Sequence, residues 1–278
     1  MASSKAGVVG KPIAHSLSPV LHSAAYTALG LTDWTYTRIE ADDTELPALV
    51  AGLGPEWAGL SVTMPGKFAA LSIADETTER ARLVGAANTL VHLEDGRWRA
   101  DCTDVDGVVG ALVHGGDFQV GTQAVLLGAG GTALAVLVAL VSLDVSSFAV
   151  VVRDPARAGD IERCAERLGV GVDVHRWADT SLQKLAAETD VLVSTVPGKV
   201  ADSYAEDLAL APCVLDVIYH PWPTALATAV QARGGRIGTG LDMLLYQAFS
   251  QVEQFTGRPA PRDAMRDALS NATGMRLA

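Results

Sequence analysis

Ala124-Val125-Leu126-Leu127-Gly128-Ala129-Gly130-Gly131-Thr132-Ala133-Leu134-Ala135 decides the fold of this 278-residue chain. Four apolar residues of strand length run into a glycine turn, and a stretch of helical length, residues 132–141, follows. Gly128, Gly130 and Ala133 fit the spacing G-x-G-x-x-A. In that pattern the glycines permit a tight turn and let a pyrophosphate approach the backbone, while the helix start offers N–H donors. Ala129 and Gly131 complete the turn. A strand before and a helix after are the context the motif requires. The plainer reading is a glycine turn in an ordinary α/β fold.

Outward from the turn, apolar runs of strand length alternate with segments of helical period. Residues 147–152, 172–176, 190–194 and 213–218 read as strands, and 155–168 as a helix ended by Gly169. This βαβαβ order calls for a parallel, doubly wound sheet. No charge occurs between Asp117 and Asp144, but residues 132–143 would span only about 18 Å as a helix, short of a bilayer core of about 30 Å.

Upstream, residues 6–9, 35–39 and 59–62 read as strands, and 18–29, 44–51, 67 onward and 75–83 as helices. Ser18 is expected as an N-cap with Pro19 at the first helical position. Residues 89–93 and 98–100 form a hairpin around Asp95-Gly96, and Thr103 or Asp104 starts a helix running to about residue 113. Residues 242–255 give a last helix beyond the sheet pattern.

Composition narrows the classes. Hydrophobic residues at 49% and charged residues at 19% exclude global disorder, and the length suggests about two domains. A net charge of −11 argues against nucleic acid and anionic membranes as main partners, though a pocket can be locally positive. Met1 to Lys5 leads into too few apolar residues for a signal-peptide core. Cys102, Cys164 and Cys213 lack CxxC spacing, which suits a reducing cytoplasm. The six histidines show no metal-ligand spacing, so no metal is expected.

Two arginines and one carboxylate stand beyond the second strand of the nucleotide pattern. Arg153, helped by Arg157, suits a ribose 2′-phosphate; Asp154 suits the free ribose hydroxyls of NAD, unless it turns away to cap a helix at Pro155. Two cations against one anion favour NADP. In the first hundred residues Ser16 and Ser18 flank a helix start, where hydroxyls suit a carboxylate. Capping explains Ser18 but not Ser16. Lys67 follows Thr63-Met64-Pro65-Gly66, and Asn88, Thr89 and Asp104 have turn or capping explanations of their own.

These segments together resemble the shikimate dehydrogenase family along nearly the whole chain. Residues 10–19 (Gly-Lys-Pro-Ile-Ala-His-Ser-Leu-Ser-Pro) look like its opening substrate-binding segment, and residues 63–67 like its catalytic-lysine segment. Gly85-Ala86-Ala87-Asn88-Thr89, Thr103-Asp104, Tyr219 before His220-Pro221, and Gln247 resemble its further motifs. Pro55-Glu56-Trp57 and residues 252–257 are similar to actinobacterial, especially mycobacterial, members.

The resemblance implies an α/β protein of two domains. Residues 1–104 plus 242–278 would bind substrate, and residues 105–241 would be a Rossmann-type NADP domain. Ser16 and Ser18 would hold a carboxylate; Thr63, Asn88, Asp104 and Gln247 would hold ring hydroxyls; Tyr219 would line the site. Lys67 and Asp104 would form the proton-transfer pair. Reversible NADPH-dependent reduction of 3-dehydroshikimate to shikimate is the expected activity, in a monomer or homodimer. A quinate or quinate/shikimate dehydrogenase using NAD, and a non-catalytic sensor with the same pocket, are the rivals. Ser61 and Cys102 stand where the family commonly has Asn, and Val152-Arg153-Asp154 replaces Asn-Arg-Thr/Ser.

Overall fold

The computed structural model describes residues 4–277; Met1 to Ser3, on which part of the leader-segment reading rests, lie outside the described residues. The first half of the chain runs β1 (Ser4–Gly10), α1 (Ser18–Ala28), β2 (Trp34–Glu40), α2 (Leu46–Ala51), β3 (Trp57–Val62), α3 (Lys67–Ile73), β4 (Glu76–Thr77), α4 (Glu79–Val84), β5 (Thr89–His92), β6 (Trp98–Asp101) and α5 (Asp104–Gly110). The second runs β7 (Gln123–Leu127), α6 (Gly131–Ser142), β8 (Ser147–Val152), α7 (Gly159–Leu168), β9 (Val172–Arg176), α8 (Leu182–Ala187), β10 (Val191–Ser194), α9 (Gly198–Asp202) and α10 (Ala205–Leu208). It ends with β11 (Cys213–Asp216), α11 (Ala225–Ala232), β12 (Arg236–Thr239), α12 (Gly240–Thr256) and α13 (Arg262–Thr273). Among the described residues two compact units result, one of residues 4–103 and 245–277, the other of residues 104–244.

The second unit is built on a six-stranded sheet in the order β12-β11-β10-β7-β8-β9, and every pairing in it is parallel. The chain moves from β7 to β8 and β9, then returns to the other side of β7 for β10 to β12. A ligand crevice belongs at such a switch point, beyond the carboxyl ends of the strands. Val125, Leu127, Val151, Leu192 and Val214 supply one core, buried at or below 2% exposure. Helix α6 is buried on nearly every side, from Ala133 to Leu140, which is why its sequence carries no polar face.

The first unit has a mixed sheet, β2-β1-β3-β5-β6-β4, parallel between β1 and its neighbours and antiparallel through β3, β5 and β6. Gly59 matters here: a Cβ on it would lie 2.3 Å from the Phe255 ring of α12, so only glycine lets that helix pack on β3.

Three local expectations are corrected. Ser18 is the first helical residue of α1 and makes no side-chain cap; Ser16 Oγ instead accepts from Ser18 N at 3.3 Å. Residues 75–83 are not one helix, because Thr78 is extended and caps α4 through Ala81 N. Residues 155–168 break into a 3-10 turn, Pro155–Arg157, and α7. After α5 the chain widens into a π-helical turn, Ala111–Gly115.

Candidate functional site

In the first unit, Asn88 is the centre of a buried polar cluster. It stands between α4 and β5, and its Oδ1 accepts from Thr103 N at 2.7 Å and Thr89 Oγ1 at 2.8 Å. Its Nδ2 donates to Thr103 Oγ1 at 3.0 Å and Gln247 Oε1 at 3.3 Å. Asn88, Thr103 and Gln247 are buried, so these amides and hydroxyls satisfy one another instead of water. Ser16 and Ser18 are also buried, at the start of α1. Arg38 of β2 forks onto the Ser16 carbonyl at 3.0 and 2.6 Å and holds that loop, a contact with no signal in sequence. Thr63 follows β3, its backbone N–H bonded to the Val9 carbonyl at 2.9 Å. Lys67 opens α3, half-buried, and its carbonyl accepts from Ala87 N at 2.9 Å, which ties the lysine segment to the Asn88 segment.

Beside this cluster lies a charged hub. Asp101 ends β6 two residues before Thr103 and is 3% exposed. It takes a forked ion pair from Arg80, with Thr78 Oγ1 at 2.7 Å, Gln254 Nε2 at 2.8 Å and Cys102 N at 2.8 Å. Burial pushes its carboxyl up, but Arg80, Thr78 and Gln254 together hold it below the ordinary value.

In the second unit, Asp104 is the buried first residue of α5, and Tyr219 follows β11 with its phenol pushed up by burial. The glycine turn joins β7 to α6 as expected. Gly128 has φ +105, and a Cβ there would meet Thr195 Oγ1 at 2.4 Å. Gly130 is different: it is the N-cap residue of α6, it has no side chain of its own to fill the helix start, and a Cβ there would meet no described atom within 4 Å. An open approach to a helix start is what a pyrophosphate needs, so the turn fits a dinucleotide.

At the ends of β8 and β9, Arg153 and Arg176 line a groove of about 400 Å³ with Lys199, Trp177 and Tyr204. Arg176 and Lys199 were not singled out by the sequence motif; the signal available was a basic residue ending the next parallel strand. Arg157 sits on the exposed turn after Arg153 and is not among the lining residues. Asp154 turns away: its Oδ1 accepts from Ala156 N at 3.1 Å and caps the Pro155–Arg157 turn. Among the described residues no group of three or more His, Cys, Asp or Glu side chains could hold a metal ion, and no helix is long and apolar enough to cross a membrane.

A parallel nucleotide-type sheet with an open glycine turn, carried in one chain with a unit that buries amides and hydroxyls together, is the build of a dinucleotide-dependent dehydrogenase. Known proteins narrow the class. Residues 8–90 match the shikimate dehydrogenase substrate binding domain, and residues 240–269 the shikimate 5′-dehydrogenase C-terminal domain. The shikimate dehydrogenase (NADP(+)) of Microcystis aeruginosa is 35% identical over 275 residues, 95% of each chain. The chain belongs to the shikimate dehydrogenase family. Among solved structures, Mycobacterium tuberculosis shikimate dehydrogenase is 55% identical, with a TM-score of 0.90 over 96% of this chain and 99% of that one. Quinate dehydrogenase from Corynebacterium glutamicum, in complex with NAD, is 28% identical, with a TM-score of 0.86 over 97% and 99%.

Proposed function

We propose that this chain interconverts shikimate and 3-dehydroshikimate with NADP(H), in the pathway that leads to the aromatic amino acids. The observation that carries the reading is the buried cluster of Asn88, Thr103 and Gln247 in a chain of this family. A hydroxylated ring needs such amides and hydroxyls to replace its water. Ser16 and Ser18 bind the carboxylate, and Thr63, Asn88, Asp104 and Gln247 bind ring hydroxyls. Tyr219 lines the site. Residues 1–104 with 242–278 serve as the substrate domain, and 105–241 as the nucleotide domain.

NADPH, when bound, supplies the hydride. Gly128, Ala129, Gly130, Gly131 and Ala133 would hold the pyrophosphate, and Arg153, with Arg157 reaching in from the neighbouring turn, would hold the 2′-phosphate. Arg176 and Lys199 add charge to the same groove. As the carbonyl carbon becomes tetrahedral, its oxygen gains negative charge and needs a proton. The Lys67 ammonium donates it, as one member of the proton-transfer pair with Asp104. In the reverse direction Lys67 takes that proton back.

Initial rates with shikimate against quinate, and NADP against NAD, test the reading. The expected order puts shikimate with NADP first in kcat/KM. Equal or better turnover of quinate with NAD would overturn it, and no turnover with any pair would leave a sensor. The NAD reading drew on Asp154, which here is turned to its cap. Cys102, Cys164 and Cys213 are buried and joined in no disulfide, which supports the proposed cytoplasmic location. A monomer or homodimer is expected on light scattering.

A further inference from the structure

Within the first unit a chain of hydrogen bonds crosses four elements. Tyr36 Oη on β2 donates to Ser61 Oγ on β3 over 2.6 Å, and Ser61 Oγ donates to Gln251 Oε1 on α12 over 2.7 Å. Gln251 Nε2 donates onward to the Asn88 carbonyl at 3.2 Å and to Thr89 Oγ1 at 2.9 Å. Thr89 Oγ1 then donates to Asn88 Oδ1. All five residues are buried.

Two main-chain groups decide the direction of every bond. A carbonyl can only accept, so the NH2 of Gln251 faces Asn88 and its oxygen faces Ser61. Ser61 must then donate to Gln251 and accept from Tyr36. At the other end Thr103 N–H can only donate, so the oxygen of Asn88 faces it and the Asn88 NH2 faces Gln247.

We propose that Gln251 is a positioning residue for substrate binding. Its amide carries the polarity of a relay that runs from Tyr36 to Asn88, where the functional reading above puts a ring hydroxyl. The proposal rests on that reading. Ser61 makes Gln251 the necessary link: its hydroxyl reaches Tyr36 and Gln251, and only Gln251 goes on to Asn88.

The test is steady-state kinetics of Gln251→Ala, Tyr36→Phe and the double variant, with shikimate and NADP varied in turn. Gln251→Ala should raise the shikimate KM about tenfold, with the NADP KM within about twofold and kcat within about threefold of wild type. Tyr36→Phe keeps the ring stacked on His22, 3.9 Å between centroids, and removes only the hydroxyl. It should raise the shikimate KM by about three- to fivefold, and the double variant should be no worse than Gln251→Ala, because one relay is broken only once. A shikimate KM within about twofold of wild type in Gln251→Ala overturns the proposal. So does a fall in kcat with both KM values unmoved, the pattern of a smaller folded fraction. Should Gln251→Ala fail to fold, Tyr36→Phe decides: a moved shikimate KM with an unmoved NADP KM upholds the relay, and no change overturns it. A wild type without NADP-dependent shikimate turnover fails the functional reading and this proposal together; normal wild-type turnover with unmoved variants fails the proposal alone.

Discussion

Gln247 and Gln251 stand one helical turn apart on α12 and both engage Asn88, the first at its side-chain amide over 3.3 Å, the second at its main-chain carbonyl over 3.2 Å. Residues four apart share a helix face. One face of α12 thus grips both ends of a single asparagine, so the Asn88 carboxamide has no free rotation to choose its own orientation. Asn88→Asp should be worse than its size suggests, since the substituted oxygen would face Gln247 Oε1. We expect a shikimate KM raised by about tenfold or more with NADP binding unchanged, read by kinetics and by cofactor titration.

Lys67→Ala should lower kcat by about 10²-fold or more, with a much smaller change in KM, as expected for a group acting mainly in the transition state. Near-normal kcat would remove Lys67 as proton donor.

The glycine turn offers a contrast between neighbours. Gly130 is extended at φ −84, a conformation any residue adopts, and space stands open around it. Gly130→Ala should fold with an unchanged melting temperature and bind NADP poorly. Gly128→Ala should instead unfold more readily, because its φ is +105 and Thr195 blocks the new methyl. Equal cofactor binding by Gly130→Ala and wild type would show that no phosphate approaches there.

Arg153→Ala should weaken NADP by about ten- to a hundredfold and NAD little, the range that charge-assisted hydrogen bonds carry. Arg176→Ala and Lys199→Ala should give smaller losses that shrink as salt rises, since Arg176 is more than half exposed. Asp154→Ser should tighten NADP, because it removes a negative charge while keeping a side chain able to cap Ala156 N. Fluorescence titration with NADPH and NADH at two ionic strengths reads all four.

Arg80→Ala should cost about 2–4 kcal/mol of stability, since it leaves the Asp101 carboxylate buried without its cation. The sign with pH follows from the depressed Asp101 carboxyl. Its contribution is fully present above the unfolded carboxyl value near 3.9 and is lost as pH falls through the lower folded value. The melting-temperature gap between wild type and Arg80→Ala should therefore be wide at pH 7 and shrink progressively as pH falls below about 4. A constant gap would show that Arg80 acts through packing alone.

What the sequence makes legible is what neighbours in the chain decide. The glycine turn, the β5–β6 hairpin and the parallel rhythm of the second unit are short-range patterns, and each appears in the structure. The helix at residues 75–83 failed at Thr78, whose hydroxyl prefers to cap α4 rather than continue a helix. The proposed site residues, among them Asn88, Lys67 and Gln247, sit in short motifs and are readable from the chain alone. Their supports are not. Ser61 and Gln251 meet across 190 positions, and no local pattern pairs them. Nor could Arg153 be matched with Lys199, because which loop faces it depends on the strand order at the switch point.

The cap made by Asp154 bears on how this protein could change its cofactor in evolution or by design. Swapping Arg153 for a neutral residue would discourage NADP yet leave nothing arranged for the ribose of NAD, because the nearest carboxylate is turned toward Ala156. Recruiting that carboxylate would strand a backbone donor at the start of the Pro155–Arg157 turn. The route from one nicotinamide to the other thus requires at least two coordinated substitutions, one to lift the positive charge and one to supply a new cap. Either alone yields an intermediate that serves neither cofactor well. A lineage with this loop would be held to its coenzyme by the single hydrogen bond that keeps Asp154 on Ala156 N.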